Sequence, residues 1–175
     1  MKYGVAVFPS KQLQDIANSY RKRYDTKYAK VPPHLTLKEP FEMDEAKVKD
    51  LVKYLREVSA SANPFTLNVY KYSSFYPVTN TIYMKAHENE EMISLHDNLN
   101  TGLMENDSEH TFVPHITIGQ EMNYDELSDV FGRLKLESIS HEETIDRFSL
   151  LCKLDNGIWT VYETFMLGEK GNDAS

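Results

Sequence analysis

Two segments of this chain repeat one pattern, Val31-Pro32-Pro33-His34-Leu35-Thr36-Leu37 and Val113-Pro114-His115-Ile116-Thr117-Ile118. Their histidines stand 81 positions apart in 175 residues, and each segment lies between two stretches of helical periodicity. In an extended strand, successive side chains point to opposite faces. His34 and Thr36 therefore share one face and Leu35 and Leu37 the other, and His115 and Thr117 are set in the same way against Ile116 and Ile118. Each segment can bury two aliphatic side chains in its own half while presenting an imidazole and a hydroxyl on the opposite surface. A strand of this kind, used twice, predicts two similar lobes sharing one surface, although no repeat is visible outside the motifs.

The remaining elements can be placed around these strands. Tyr3 to Phe8 reads as a buried strand ended by Pro9, with Ser10 positioned to cap a helix striped by Leu13, Ile16, Ala17, Tyr20 and Tyr24. Asp44 can cap a second helix, striped by Val48, Leu51, Val52, Leu55 and Val58. From Phe65 to Tyr70 the period is two, and a partner strand is expected around Thr81 to Lys85. Met92, Leu95, Leu99 and Leu103 mark a third helix. Asn123 with Glu126 forms a capping-box signal for a fourth, striped by Leu127, Val130, Phe131 and Leu134. Residues 145–154 and 158–167 flank Asp155-Asn156-Gly157, whose Asn-Gly step signals a tight hairpin. The expected organisation is one bilobal domain over residues 1–167, followed by a small, polar and disordered tail over 168–175.

Composition narrows the function classes. A net charge of −8 opposes an extended grip on duplex DNA, yet a few aimed donors can still hold one phosphate in a narrow groove. Cys152 is the only cysteine, which excludes an internal disulfide and a multi-thiolate metal site and suits a reducing, cytoplasmic address. The apolar run near the N-terminus is too short for a signal peptide, and no stretch approaches a membrane span.

Displacement at phosphorus runs in line, with the nucleophile entering opposite the leaving oxygen. Two imidazoles on opposite sides can serve both ends, one neutral and accepting a proton, the other charged and donating one. Thr36 and Thr117 can donate to the non-bridging oxygens as charge develops there. Lys38, two residues beyond Thr36, is a candidate charge partner or a solvated strand-end lysine. Which histidine is the base stays open, with a slight lean to His115.

The paired H-φ-T-φ motifs resemble those of the 2H phosphoesterase superfamily, which includes 2′-5′ RNA ligase-like proteins and cyclic phosphodiesterases, and residues 1–167 resemble YjcG-type phosphoesterases in element order. The resemblance implies a bilobal α+β fold: two antiparallel-rich sheets related by a pseudo-two-fold axis, helices outside and a groove between them. It makes His34 and His115 the acid and base pair and Thr36 and Thr117 the phosphate donors. It further implies a hydrolase acting without metal or cofactor on a phosphodiester, such as a 2′,3′-cyclic or 1″,2″-cyclic phosphate of a nucleotide or RNA end. Where many relatives follow the second motif with a small and then a basic residue, this chain has Gly119 and Gln120. That departure and the acidic surface keep open a non-catalytic module holding a nucleotide or RNA end in the same groove, and a 2′-5′ RNA ligase running the reverse reaction would share the site.

The other histidines carry less. His96 falls on the apolar stripe of the third helix, and His87, His110 and His141 have acidic neighbours that suit solvated positions. No H-E-x-x-H, C-x-x-C or P-loop pattern occurs. Tyr72, Phe75 and Tyr76 suit either stacking on a nucleobase or packing within a hairpin. Met104 to Glu109 reads as a short acidic loop with no assigned function.

Overall fold

A computed structural model of the chain describes residues 1–102 and 111–168. Its elements follow in the order β1 (Lys2–Val7), α1 (Lys11–Tyr24), β2 (Leu35–Glu42), a 3-10 turn (Glu45–Lys47), α2 (Val48–Ser61), β3 (Phe65–Ser74) and β4 (Ile82–Ala86). After these come α3 (Glu90–Leu99), β5 (His115–Gly119), α4 (Tyr124–Leu134), β6 (His141–Ile145), β7 (Arg147–Lys153) and β8 (Trp159–Met166). The strands lie in the order β6-β3-β4-β5-β2-β1-β7-β8, and every paired neighbour is antiparallel.

The two expected sheets are the two four-stranded halves of this order, and they fuse at the centre through the pair Leu35↔Ile116. The unit β1-α1-β2 in one half corresponds to β4-α3-β5 in the other. The helices cross over: α1 packs on β5 and α3 on β2, so each lobe covers the other's motif strand. Leu35, Leu37, Ile116 and Ile118 are each no more than 1% exposed and join one core with Leu13, Ala17, Leu95 and Leu99. Burying four such side chains contributes roughly 1.5 to 3 kcal/mol each, which holds the two central strands together although they share little ladder.

Local signals explain most element ends. Asn123 Oδ1 accepts from the Glu126 N–H at 2.8 Å, and Asp44 Oδ1 accepts from the Ala46 N–H at 3.0 Å. Ser10 occupies the cap position of α1, but its own N–H donates to the Glu143 carboxylate instead of its hydroxyl capping the helix. At the β7–β8 turn Gly157 takes φ 83°, the left-handed region that favours glycine.

Some readings shift. β6 has no counterpart in the expected elements, because His141-Glu142-Glu143-Thr144 is polar and lies at the sheet edge. The His141 side chain is 9% exposed and bonds Glu143 at 2.6 Å, so it is packed and not solvated. Leu103, the loop over 104–109, His110 and residues 169–175 lie outside the described residues. No helix among those described is long and apolar enough to cross a membrane.

Candidate active site

Both motif histidines are set by the same backbone device. Pro33 and Pro114 are buried immediately before them. His34 Nδ1 donates to the Pro32 carbonyl at 2.8 Å, and His115 Nδ1 donates to the Val113 carbonyl at 2.6 Å. A carbonyl oxygen can only accept, so Nδ1 carries a proton in each ring and Nε2 is left to exchange one with a ligand.

Register brings the two halves together. With Leu35 opposite Ile116 in an antiparallel pair, one residue further each way sets His34 opposite Thr117 and Thr36 opposite His115. Residues opposite one another share a face, so the four side chains form a two-by-two patch with the histidines on one diagonal. Strand geometry separates such diagonal partners by roughly 7 to 8 Å, which leaves room for a phosphate between the rings. All four line a single groove of about 330 Å3. Among the described residues neither threonine hydroxyl has a hydrogen-bond partner.

The surroundings of the two rings differ. Burial pushes His34 below the ordinary imidazole pKa; the Pro32 carbonyl opposes the shift, Arg21 and His115 add to it and Asp25 works against it. Burial also lowers His115, opposed by the Val113 carbonyl and by Glu39. Arg21 and Asp25 form an ion pair at 2.8 Å with both side chains 2% exposed. Arg21 further donates to Asn18 Oδ1 at 2.8 Å and to the Val31 carbonyl at 2.6 Å, tying α1 to the segment that leads into His34. Phe75 and Tyr83 stand edge-on to His115, with ring centroids at 5.0 and 5.2 Å, and Lys85 of β4 pairs with His115 in register.

His34, Thr36, His115, Thr117 and Lys38 all reach this groove, with a qualification for Lys38. Lys38 lines it and is buried, but its Nζ lies 3.4 Å from Asn100 Oδ1 and 5.4 Å from the Phe41 ring centroid. Burial lowers its pKa. Gln120, at the position of the missing cation, donates to Asp25 Oδ1 at 2.7 Å. Of the three aromatics considered for stacking, Tyr72 is buried in the core, Phe75 packs on Tyr83 at 4.2 Å, and Tyr76 is half exposed near Tyr124. Arg21, Asp25, Glu39, Lys2, Lys153 and Trp159 also line the groove. No short motif marks them, because long-range packing places them there.

An antiparallel sheet with pseudo-two-fold symmetry, carrying paired histidines and threonines where its halves meet, defines the 2H phosphoesterase class. The chain belongs to the 2′-5′ RNA ligase superfamily, whose sequence profile matches residues 8–157. A Bacillus licheniformis protein named "Putative phosphoesterase" is 58% identical over 168 residues, covering 96% of this chain and 99% of that protein. Among solved structures, TT0787 of Thermus thermophilus superposes with a TM-score of 0.74 at 22% identity, covering 97% of this chain and 100% of that one. Escherichia coli LigT complexed with 3′-AMP does so with a TM-score of 0.72 at 16% identity, covering 95% and 97%.

Proposed function

We propose that the chain hydrolyses a phosphodiester, a 2′,3′-cyclic or related cyclic phosphate of a nucleotide or RNA end, by acid–base catalysis from His34 and His115 without a metal. The observation that carries this is the antiparallel pair Leu35↔Ile116, which turns two distant motifs into one diagonal histidine pair. The 3′-AMP bound by LigT, a structural neighbour, is consistent with a nucleotide phosphate as ligand. The lone, buried Cys152 suits a cytoplasmic setting.

In this reading His34 is the base and His115 the acid, replacing the slight lean drawn from the motifs alone. Arg21 beside His34 disfavours its charged form, while Glu39 favours a charged His115. His34 Nε2 takes the proton of a water whose oxygen bonds to phosphorus. The bond from phosphorus to the ribose oxygen breaks, and His115 Nε2 gives its proton to that oxygen. Thr36 and Thr117 donate to the non-bridging oxygens, and Lys38 adds positive charge from the groove wall.

A panel of cyclic and linear nucleotide phosphates, assayed in excess chelator beside the His34→Ala His115→Ala double variant, tests this. Turnover should persist with chelator and vanish in the double variant. Loss on chelation, or wild-type turnover by the variant, overturns it. Tight binding without turnover would instead favour the binding module, and recovery of joined 2′-5′ products would favour ligation.

A further inference from the structure

The four motif side chains obey the pseudo-two-fold, but the groove around them does not. On β1, beside β2, the register sets Ala6 opposite Thr36, with Gly4 two residues further along the same face. On β4, beside β5, the equivalent register sets Tyr83 opposite Thr117. Tyr83 is 4% exposed and Phe75 lies against it. One flank of the quartet is thus filled by two aromatic rings, while the other has a floor of a hydrogen and a methyl group. The groove accordingly extends over β1, β7 and β8, and no residue of β3, β4 or β6 lines it.

At the far end of that extension three side chains form a row. Lys153 pairs with Trp159, and the register Tyr3↔Cys152, continued by one residue, sets Lys2 opposite Lys153. All three line the groove. The indole of Trp159, the chain's only tryptophan, leans over Gly4, with Cζ3 and Cη2 3.8 and 4.0 Å from where a Cβ on Gly4 would stand. Like charges directly opposite across two strands repel. Among the described residues neither amine has an ion-pair partner; the acids nearest by register are Glu42, opposite Lys2, and Glu39 on the groove wall.

We infer that this end is a second subsite, in which Trp159 stacks on a nucleobase and Lys2 and Lys153 hold a phosphate other than the reacting one. This rests on the phosphodiester reading of the quartet. Lys2 lies four residue steps along β1 from Ala6, about 13 Å of strand, so one phosphate cannot serve both places. The ligand class is a nucleotide with a phosphate on either side of its nucleoside. The penultimate phosphate of an RNA end and the 5′-diphosphate arm of a mononucleotide both offer this chemistry.

Calorimetry on the unreactive 3′-phosphate forms decides the matter. The probes are a nucleoside 3′-phosphate, the same nucleotide with a 5′-diphosphate, and a 5′-phosphorylated dinucleotide 3′-phosphate. The second phosphate should tighten binding to the wild type by about tenfold, the worth of one charge-assisted contact. Lys2→Ala Lys153→Ala, at surface positions, should erase that advantage. Trp159→Leu should weaken nucleotides by about tenfold more than it weakens inorganic phosphate, as loss of a stacked base requires. The tighter of the two ligands that carry further phosphates identifies the source. Equal affinities for the nucleoside 3′-phosphate and both of these ligands, or an advantage that survives the lysine double variant, overturns the subsite. Because binding is read without turnover, an inactive enzyme that keeps the advantage would sink hydrolysis and leave the subsite standing.

Discussion

Behind His34 the wall is ionic, built from the buried Arg21–Asp25 pair and the Gln120 amide that shares Asp25, with the Phe8 ring at 6.5 Å. Behind His115 the wall is aromatic, built from Phe75 and Tyr83, with Glu39 as the acidic group favouring its charged form. The backbone device is identical on both sides: a buried proline, an Nδ1–H given to the carbonyl two residues back, and aliphatic side chains driven into the core. A duplicated strand can therefore present two equivalent imidazoles in different surroundings, and in the proposed mechanism that difference is what gives each ring its own proton-transfer role.

The largest effect should come from removing either ring. His34→Ala and His115→Ala should each cost about a hundredfold to ten-thousandfold in kcat, and the double variant little more than either, if the pair acts as a unit. Steady-state kinetics, with circular dichroism to verify folding, checks this.

The ionic wall can be broken separately. Arg21→Ala leaves Asp25 buried without its partner and should cost roughly 3 to 5 kcal/mol of stability, read by denaturant unfolding. Phe75→Leu, on the aromatic side, keeps an apolar side chain there and should cost less. A third comparison concerns the donors. Thr36→Val and Thr117→Val should each lower kcat by about a hundredfold with KM less affected, if both hydroxyls act on the developing charge.

The pH profile sharpens the contrast with the smallest effect. kcat/KM should be bell-shaped, falling at low pH as the base gains a proton and at high pH as the acid loses one. Burial lowers both rings, so the bell should lie on the acid side of the ordinary imidazole value, about 6.5. Glu39→Gln should draw the alkaline limb further down, because it removes a group that favours the charged form of His115.

The quartet was legible because its information is local: alternation of side chains over four residues decides which of them turn inward. The α and β elements around it were legible for the same reason, from Leu13 and Ala17 on α1 to the Asn-Gly turn before β8. Pairing of β2 with β5 was not, since it depends on how α1 and α3 cross between the lobes. The His141–Ile145 strand escaped because an edge strand needs no apolar alternation. Arg21 and Trp159 belong to no short motif, and only folding brings them to the groove, Trp159 through the register of β8 on β7 and its lean over Gly4.

One measurement addresses the central claim most directly, a crystal structure of the protein with orthovanadate as a five-coordinate analogue of the phosphorus in flight. The account predicts His34 Nε2 and His115 Nε2 within hydrogen-bond reach of the two apical oxygens on opposite sides, with the Thr36 and Thr117 hydroxyls on equatorial ones. Vanadate held by a single histidine, or seated away from both, would contradict it.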